Sequence, residues 1–205
     1  MIRPEPPSAR ADSEPSKFWP QDHAGKGQIL CVGNLVRIEA KKPEPHFGFP
    51  HATEDRIAQD PGALVMLKTV THAELMKETR GSVAVNLNAA FGGGLQRRNN
   101  GKAYVEANFE GPSLGAVEVG PKAVHLHTDT NWNGKTQLRV LVNDGANHYD
   151  LSAPAAGLRD RWQEIGLEKL RKELTACSTI HLRVGLARAW GDNPCYAQVN
   201  GLYMR

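Results

Sequence analysis

Cysteine is scarce in this sequence: Cys31, Cys177 and Cys195 are the only three in 205 residues. Three thiols so widely separated make neither a disulfide framework nor a closed four-ligand zinc site, and they fit free thiols in a reducing compartment. No apolar run approaches the roughly 20 residues needed to cross a bilayer. The first residues carry neither the basic nor the apolar segment of a secretory leader. Cys195 follows a proline turn instead of opening a helix, so nothing visible lowers its pKa, and a cysteine hydrolase pairing it with His181 is disfavoured. The closing Gly-Lys-Ser/Thr of a nucleotide-binding phosphate loop is also missing. The formal net charge is only +3, which permits a polyanionic partner without demanding one, because phosphate binding depends on local clusters. These absences lead to an expectation of a soluble, cytoplasmic chain with no membrane contact, no cofactor and no assigned catalytic residue.

What is abundant is turn-forming residues, 20 glycines and 13 prolines, which point to a β-rich chain. The clearest strand pattern lies near the C-terminus. Ile180, Leu182, Val184 and Leu186 fall on every second position, the period of a strand with one buried face. Gly191, Asp192, Asn193 and Pro194 supply turn chemistry, and Tyr196, Gln198, Asn200 and Leu202 then alternate with Ala197, Val199, Gly201 and Tyr203. Residues 178–203 therefore read as a long hairpin.

The rest of the chain divides by composition. Residues 1–26 are rich in proline, serine and balanced charge, and are expected to be a flexible arm. Within it, Phe18 and Trp19 form an aromatic pair that can dock on its own domain, the leading reading, or on a partner. Residues 28–38 read as a strand bent at Gly33 and Asn34. The polar segment 39–57, with His46 and His51, is too long for a simple connector. Leu64–Val70 reads as a strand. His72–Thr79 reads as a short helix capped by Thr71, with Glu74 at the capping-box position.

Ser82–Leu87 and Ala103–Phe109 read as a pair of strands flanking the most basic stretch, which combines Gly92, Gly93 and Gly94 with Arg97, Arg98 and Lys102. A glycine-rich loop with adjacent arginines can lay amides and guanidinium groups on phosphates. The same composition also suits a solvated hairpin tip. From Gly111 onward a second set of strands begins, interrupted at Ala155–Thr175 by a helix whose Leu158, Trp162, Ile165, Leu170 and Leu174 keep the helical period and whose Gly166 breaks it. The expected organisation is an arm (1–26), a first small barrel (27–110) and a second (111–205). The fold class is mainly β with short helices, in two tandem OB-like β-barrels of α+β character.

Residues 113–119 (SLGAVEV), GKTQLRVLVND and HYDL within 134–151, Arg159 and Arg161 before Trp162, and HLRVGLARAW with CYAQVNGLY together resemble the dual OB-fold domain of bacterial proteins. That resemblance implies two fused OB barrels, nucleic-acid binding or processing, and a role in genome conflict such as antiviral defence. It is carried by strand motifs, so it bears on fold more than on chemistry.

A barrel of this kind binds through a groove that tracks phosphates and aromatic platforms that stack bases. By residue type, the candidates are Arg183, Arg188, Trp190, Tyr196 and Gln198 on the hairpin, with Arg97, Arg98, Lys102, Trp132, Lys135 and Arg139 elsewhere. His125 and His127 share a face with Asp129 next in register, a spacing a metal can use, but no third ligand is fixed. The leading expectation is a non-catalytic protein that binds DNA or RNA, single strands above all, alongside other protein subunits. The alternatives are an interaction scaffold for a partner protein and a metal-dependent hydrolase or nuclease.

Overall fold

The computed structural model describes residues 3–5, 19, 22–24, 27–31, 33–42, 54–59, 64–131, 133–188 and 193–205. It is mainly β, with 43% strand against 23% helix. The described residues divide into two compact units after Gly81, well before the boundary expected near Gly111. No helix among them is long and apolar enough to cross a membrane. His46 and His51, like Phe18, lie outside the described residues.

Among its described residues the first unit holds five short strands and an α-helix: β1 (Arg3–Glu5), β2 (Asn34–Arg37), β3 (Ala40–Lys41), β4 (Asp55–Ala58), β5 (Val65–Thr69) and α1 (His72–Thr79). β4 pairs in parallel with β1 and antiparallel with β3, while β2 and β5 form a separate antiparallel pair. The arm thus contributes a strand, and the Trp19 indole donates to the Pro4 carbonyl at 3.0 Å. The bend expected at Gly33 and Asn34 is present: Gly33 has φ +97°, and the β2–β5 register slips between Leu35 and Val36. α1 starts as its sequence dictates. The Thr71 hydroxyl accepts from the Glu74 amide, and the Glu74 carboxylate accepts from the Thr71 amide. Two amides that the helix itself leaves orphaned are thereby satisfied.

The second unit contains β6 (Val83–Ala84), α2 (Leu87–Ala90), β7 (Gln96–Arg97), β8 (Ala103–Val105), β9 (Leu114–Val119), β10 (Val124–Thr130), β11 (Thr136–Asn143), β12 (His148–Ser152), α3 (Ala156–Ile165), α4 (Leu167–Ala176), β13 (Ile180–Leu186) and β14 (Cys195–Met204). The strands run in the order β10-β11-β12-β14-β13-β9-β6, with β8 added on β14 and β7 on β8. Neighbours are antiparallel except β12 with β14 and β6 with β9. β9 and β10 occupy distant places on this path, yet only the single turn Pro121–Ala123 separates them in the chain. No closed barrel is formed among the described residues.

The core of this unit follows from alternation. Ile180, Leu182, Val184 and Leu186 are all at most 2% exposed. They share one core with Val140 and Val142 of β11, Leu151 of β12 and Val199 of β14, together with Leu158 of α3 and Leu170 and Leu174 of α4. Burying each such aliphatic side chain contributes about 1.5–3 kcal/mol relative to leaving it in water. Gly166, at φ +79°, separates α3 from α4, a conformation that costs glycine little and other residues more.

Two local expectations give way. Ser82–Leu87 is a strand only at Val83–Ala84, because Asn86 accepts from the Ala89 amide and so caps α2. Ala103–Phe109 is a strand only to Val105. It pairs with β7 and β14 instead of with β6, and β6 lies in parallel beside β9. Among the described residues the first unit accordingly holds two small sheets, and the segment 82–110, expected in a first barrel, belongs with the second unit.

Candidate functional site

Directly paired residues on neighbouring strands share a face of the sheet. The register runs His127 to Arg139, Arg139 to Ser152 and Ser152 to Gln198, so four strands present one row of polar side chains. The intervening residues Leu126, Leu138, Val140, Leu151 and Val199 fill the core. This outward row sits on an apolar foundation and is the natural place for a site.

Arg139 is only 4% exposed although it belongs to the outward row. Its Nε donates to both carboxylate oxygens of Asp150, at 3.0 and 2.9 Å, and its Nη2 donates to the Asp150 carbonyl at 2.9 Å. His127 Nε2 lies 3.0 Å from Asp150 Oδ1. A carboxylate only accepts, so Nε2 is the protonated nitrogen of that ring. The Asp150 charge is thus met from two sides, and Arg139 is a positioning residue held by its partner.

The hairpin β7–β8 folds over one end of this row. Its turn closes through Gly101 at φ +83°, whose amide donates to the Arg98 carbonyl at 2.9 Å. The Gly101 carbonyl accepts from the Asp150 amide at 2.9 Å, and Lys102 bridges in parallel to Asp150. The pairing of β8 with β14 puts Tyr104 opposite Tyr196, with ring centroids 6.1 Å apart and tilted by 53°. The Arg98 guanidinium carbon lies 5.3 Å from the Tyr104 ring centre and 5.5 Å from that of Tyr196. Those distances suit a cation over an aromatic face. The Tyr104 hydroxyl donates to Gln96 Oε1 at 2.9 Å, and Arg97 donates to the His148 carbonyl at 3.2 Å. Between Tyr196 and the buried ion pair lies a pocket of about 280 Å³ lined by Lys102, Arg139, Asp150, Ser152 and Tyr196.

Of the residues singled out by type, Arg98, Lys102, Arg139, Tyr196 and Gln198 come together on this face, whereas Arg97 pairs with the buried Ala103 and reaches the His148 carbonyl instead. Lys135 lines a second pocket, of about 500 Å³, with Gln137, Ser152, Arg159 and Trp162. Arg183 is half-buried on β13, in register with Gly201 and Ala116, and Arg188 follows that strand; neither lines these two pockets. Trp132 and Trp190 lie outside the described residues. The triple glycine is partly covered by packing, at Gly92 by Pro112 and at Gly94 by Phe109, while Gly93 is open. A Cβ at Gly94 or at Gly111 would overlap the Phe109 ring, so that ring fills the space over the loop backbone.

His125 and His127 do share a face, but they point to different partners. Arg171 Nη2 lies 3.4 Å from His125 Nε2, and a guanidinium only donates, so that nitrogen accepts. Among the described residues, no three or more His, Cys, Asp or Glu side chains are grouped so as to hold a metal.

Tyr104, Asp150 and Ser152 were missed by sequence reasoning. Their signal was present in alternation, since Ala103 and Val105 are buried around Tyr104, and Tyr149 and Leu151 around Asp150. What alternation omits is that β8 and β12 both border β14. Comparison with protein-family models, curated proteins and solved structures finds no match, so the functional argument rests on this geometry.

Proposed function

We propose that the polar face of the second unit binds single-stranded nucleic acid, with no catalytic role, as an accessory of a nucleic-acid-processing or defence assembly of the kind the resemblance implies. The observation that carries this reading is the Arg98–Tyr104–Tyr196 cluster beside Lys102. Aromatic faces stack bases of any identity, a guanidinium plane stacks as well, and an adjacent cation neutralises phosphate. The strand order supports an OB-type arrangement for this unit. With β9 and β10 counted as two halves of one bent strand, the path from β10 to β9 has five strands, to which β6, β7 and β8 are added, and α3 and α4 are inserted before the closing β13–β14 hairpin. In OB folds the face of the second and third strands takes the ligand; here those are β11 and β12, which carry Arg139, Asp150 and Ser152.

Fluorescence anisotropy with labelled single-stranded DNA and RNA over a salt series tests the proposal. Affinity is expected to fall with salt, with a log–log slope of about −0.7 per phosphate neutralised. Tyr196→Ala is expected to weaken binding by about 1–3 kcal/mol. No binding at low salt, or binding indifferent to salt, overturns it.

One observation favours a second reading, a scaffold that grips a protein. Leu35, Val65, Met66 and Leu67 on β2 and β5 are 39–52% exposed, an apolar surface of the kind that marks contact sites. A partner captured by the full chain after nuclease treatment, and lost on Met66→Asp, would support that reading.

A further inference from the structure

We infer that the ligand path continues from the tyrosine platform into the second pocket, where Trp162 of α3 forms a second stacking site flanked by Lys135 and Arg159. This inference rests on the proposed single-strand binding and extends it to a surface that the candidate residues did not include beyond Lys135.

Three observations join the two pockets into one groove. Ser152 lines both. On β11, Arg139 borders the first pocket and Gln137 the second, and residues two apart on a strand share a face. On β12 and just beyond it, Asp150, Ser152 and Pro154 step from one pocket into the other in the same alternation. A groove with a continuous strand-backed floor and an aromatic at each end suits an extended chain better than a compact small molecule.

The charge of the second pocket points the same way. Its lining holds two cations, Lys135 and Arg159, and no carboxylate. The one carboxylate of the first pocket is engaged by Arg139 and His127. Trp162 packs one side against the core and stays half-exposed on the other, the disposition a stacking platform requires. It is fixed in place because α3 is anchored through Leu158 and ends abruptly at Gly166. The inserted helix therefore takes part in binding as well as covering the core.

The test uses the full chain and fluorescein-labelled oligo(dT) of increasing length. For the unaltered protein, affinity is expected to rise with length until both platforms are covered, within the roughly 4–16 nucleotides an OB-type site spans. In the Lys135→Ala/Arg159→Ala variant, both changes fall at exposed positions. The salt slope should drop by about 1.4, about 0.7 per lost phosphate contact, and affinity should stop rising at a shorter length. Trp162→Phe should remove part of the tryptophan quenching that oligo(dT) causes. If the double variant keeps the slope and saturation length of the unaltered protein, and Trp162→Phe keeps the quenching, the second platform is overturned while the tyrosine site stands. If the unaltered protein binds no oligo(dT) at low salt, the single-strand reading itself fails and takes this inference with it.

Discussion

Arg139 looks by residue type like a phosphate ligand, and by position it is the residue that holds Asp150 in place. Its guanidinium makes three hydrogen bonds to that one residue, and its side chain is 5% exposed against 16% for Asp150. Removing one member of a buried ion pair leaves the other charged and unpaired, at a cost on the order of 3–5 kcal/mol. Asp150→Ala is therefore expected to lower the urea midpoint by a corresponding amount, and Arg139→Met with Asp150→Leu to recover most of it. A double variant no more stable than Asp150→Ala would count against the pairing. At this scale the sequence told which residues were basic or aromatic but not which were already engaged. Arg98, Lys102 and Tyr196 could be picked by type, whereas the Asp150 partnership depends on the register of β11 and β12, and the Tyr104 platform on the pairing of β8 with β14.

At the scale of elements, local chemistry was legible wherever it was self-contained. Thr71 and Glu74 are three residues apart and cap α1 by contacts within the segment. Gly166 breaks the long helix, and the alternation of β13 names its apolar side, although His181 and Gly185 on the other side are buried as well. The α1 cap also carries a pH dependence. The Glu74 carboxyl is held below its ordinary value, first by the backbone amide of Thr71, then by the Thr71 hydroxyl, then by the charge of Lys68. A carboxyl lowered on folding adds stability above its unfolded pKa and loses it as pH falls through the folded one. Amide protection at the start of α1 is therefore expected to hold from neutral pH down to the usual glutamate range and to decline below it. Thr71→Ala should weaken the helix start by about 1 kcal/mol at neutral pH. Hydrogen exchange of the Glu74 and Leu75 amides measures both. Protection that does not change with pH or on Thr71→Ala would remove the cap from the account. Elements set by distant partners were not legible in this way. Val83–Ala84 is a strand because β9 lies beside it in parallel, and β8 stops at Val105, after which the Phe109 amide turns back to the Glu106 carbonyl and the Phe109 ring packs over Gly94 and Gly111.

For the whole molecule, the division after Gly81 has a concrete consequence for which piece of chain is self-sufficient. Strand patterning placed a boundary near Gly111, since a second set of strands begins there. The segment Ser82–Glu110 nevertheless gives the second unit β6 and β8 as neighbours of β9 and β14, and Leu87, Phe91 and Val105 as fully buried side chains. No periodicity encodes a parallel pairing between Val83 and Ala116, because the partner lies outside any local window. Three such side chains contribute on the order of 1.5–3 kcal/mol each, which together rivals the 5–15 kcal/mol net stability of an ordinary domain. Their loss would also uncover Val117 and the edge of β9, and an unpaired edge strand invites association. A chain beginning at Gly111 is therefore expected to be unfolded or aggregated, and one beginning at Ser82 to give a dispersed amide spectrum and a cooperative urea transition. Because Arg98, Lys102 and Tyr104 also enter with Ser82–Glu110, only the longer piece should retain salt-dependent binding of oligo(dT). A folded, binding-competent chain beginning at Gly111 would place both the unit boundary and the tyrosine platform elsewhere.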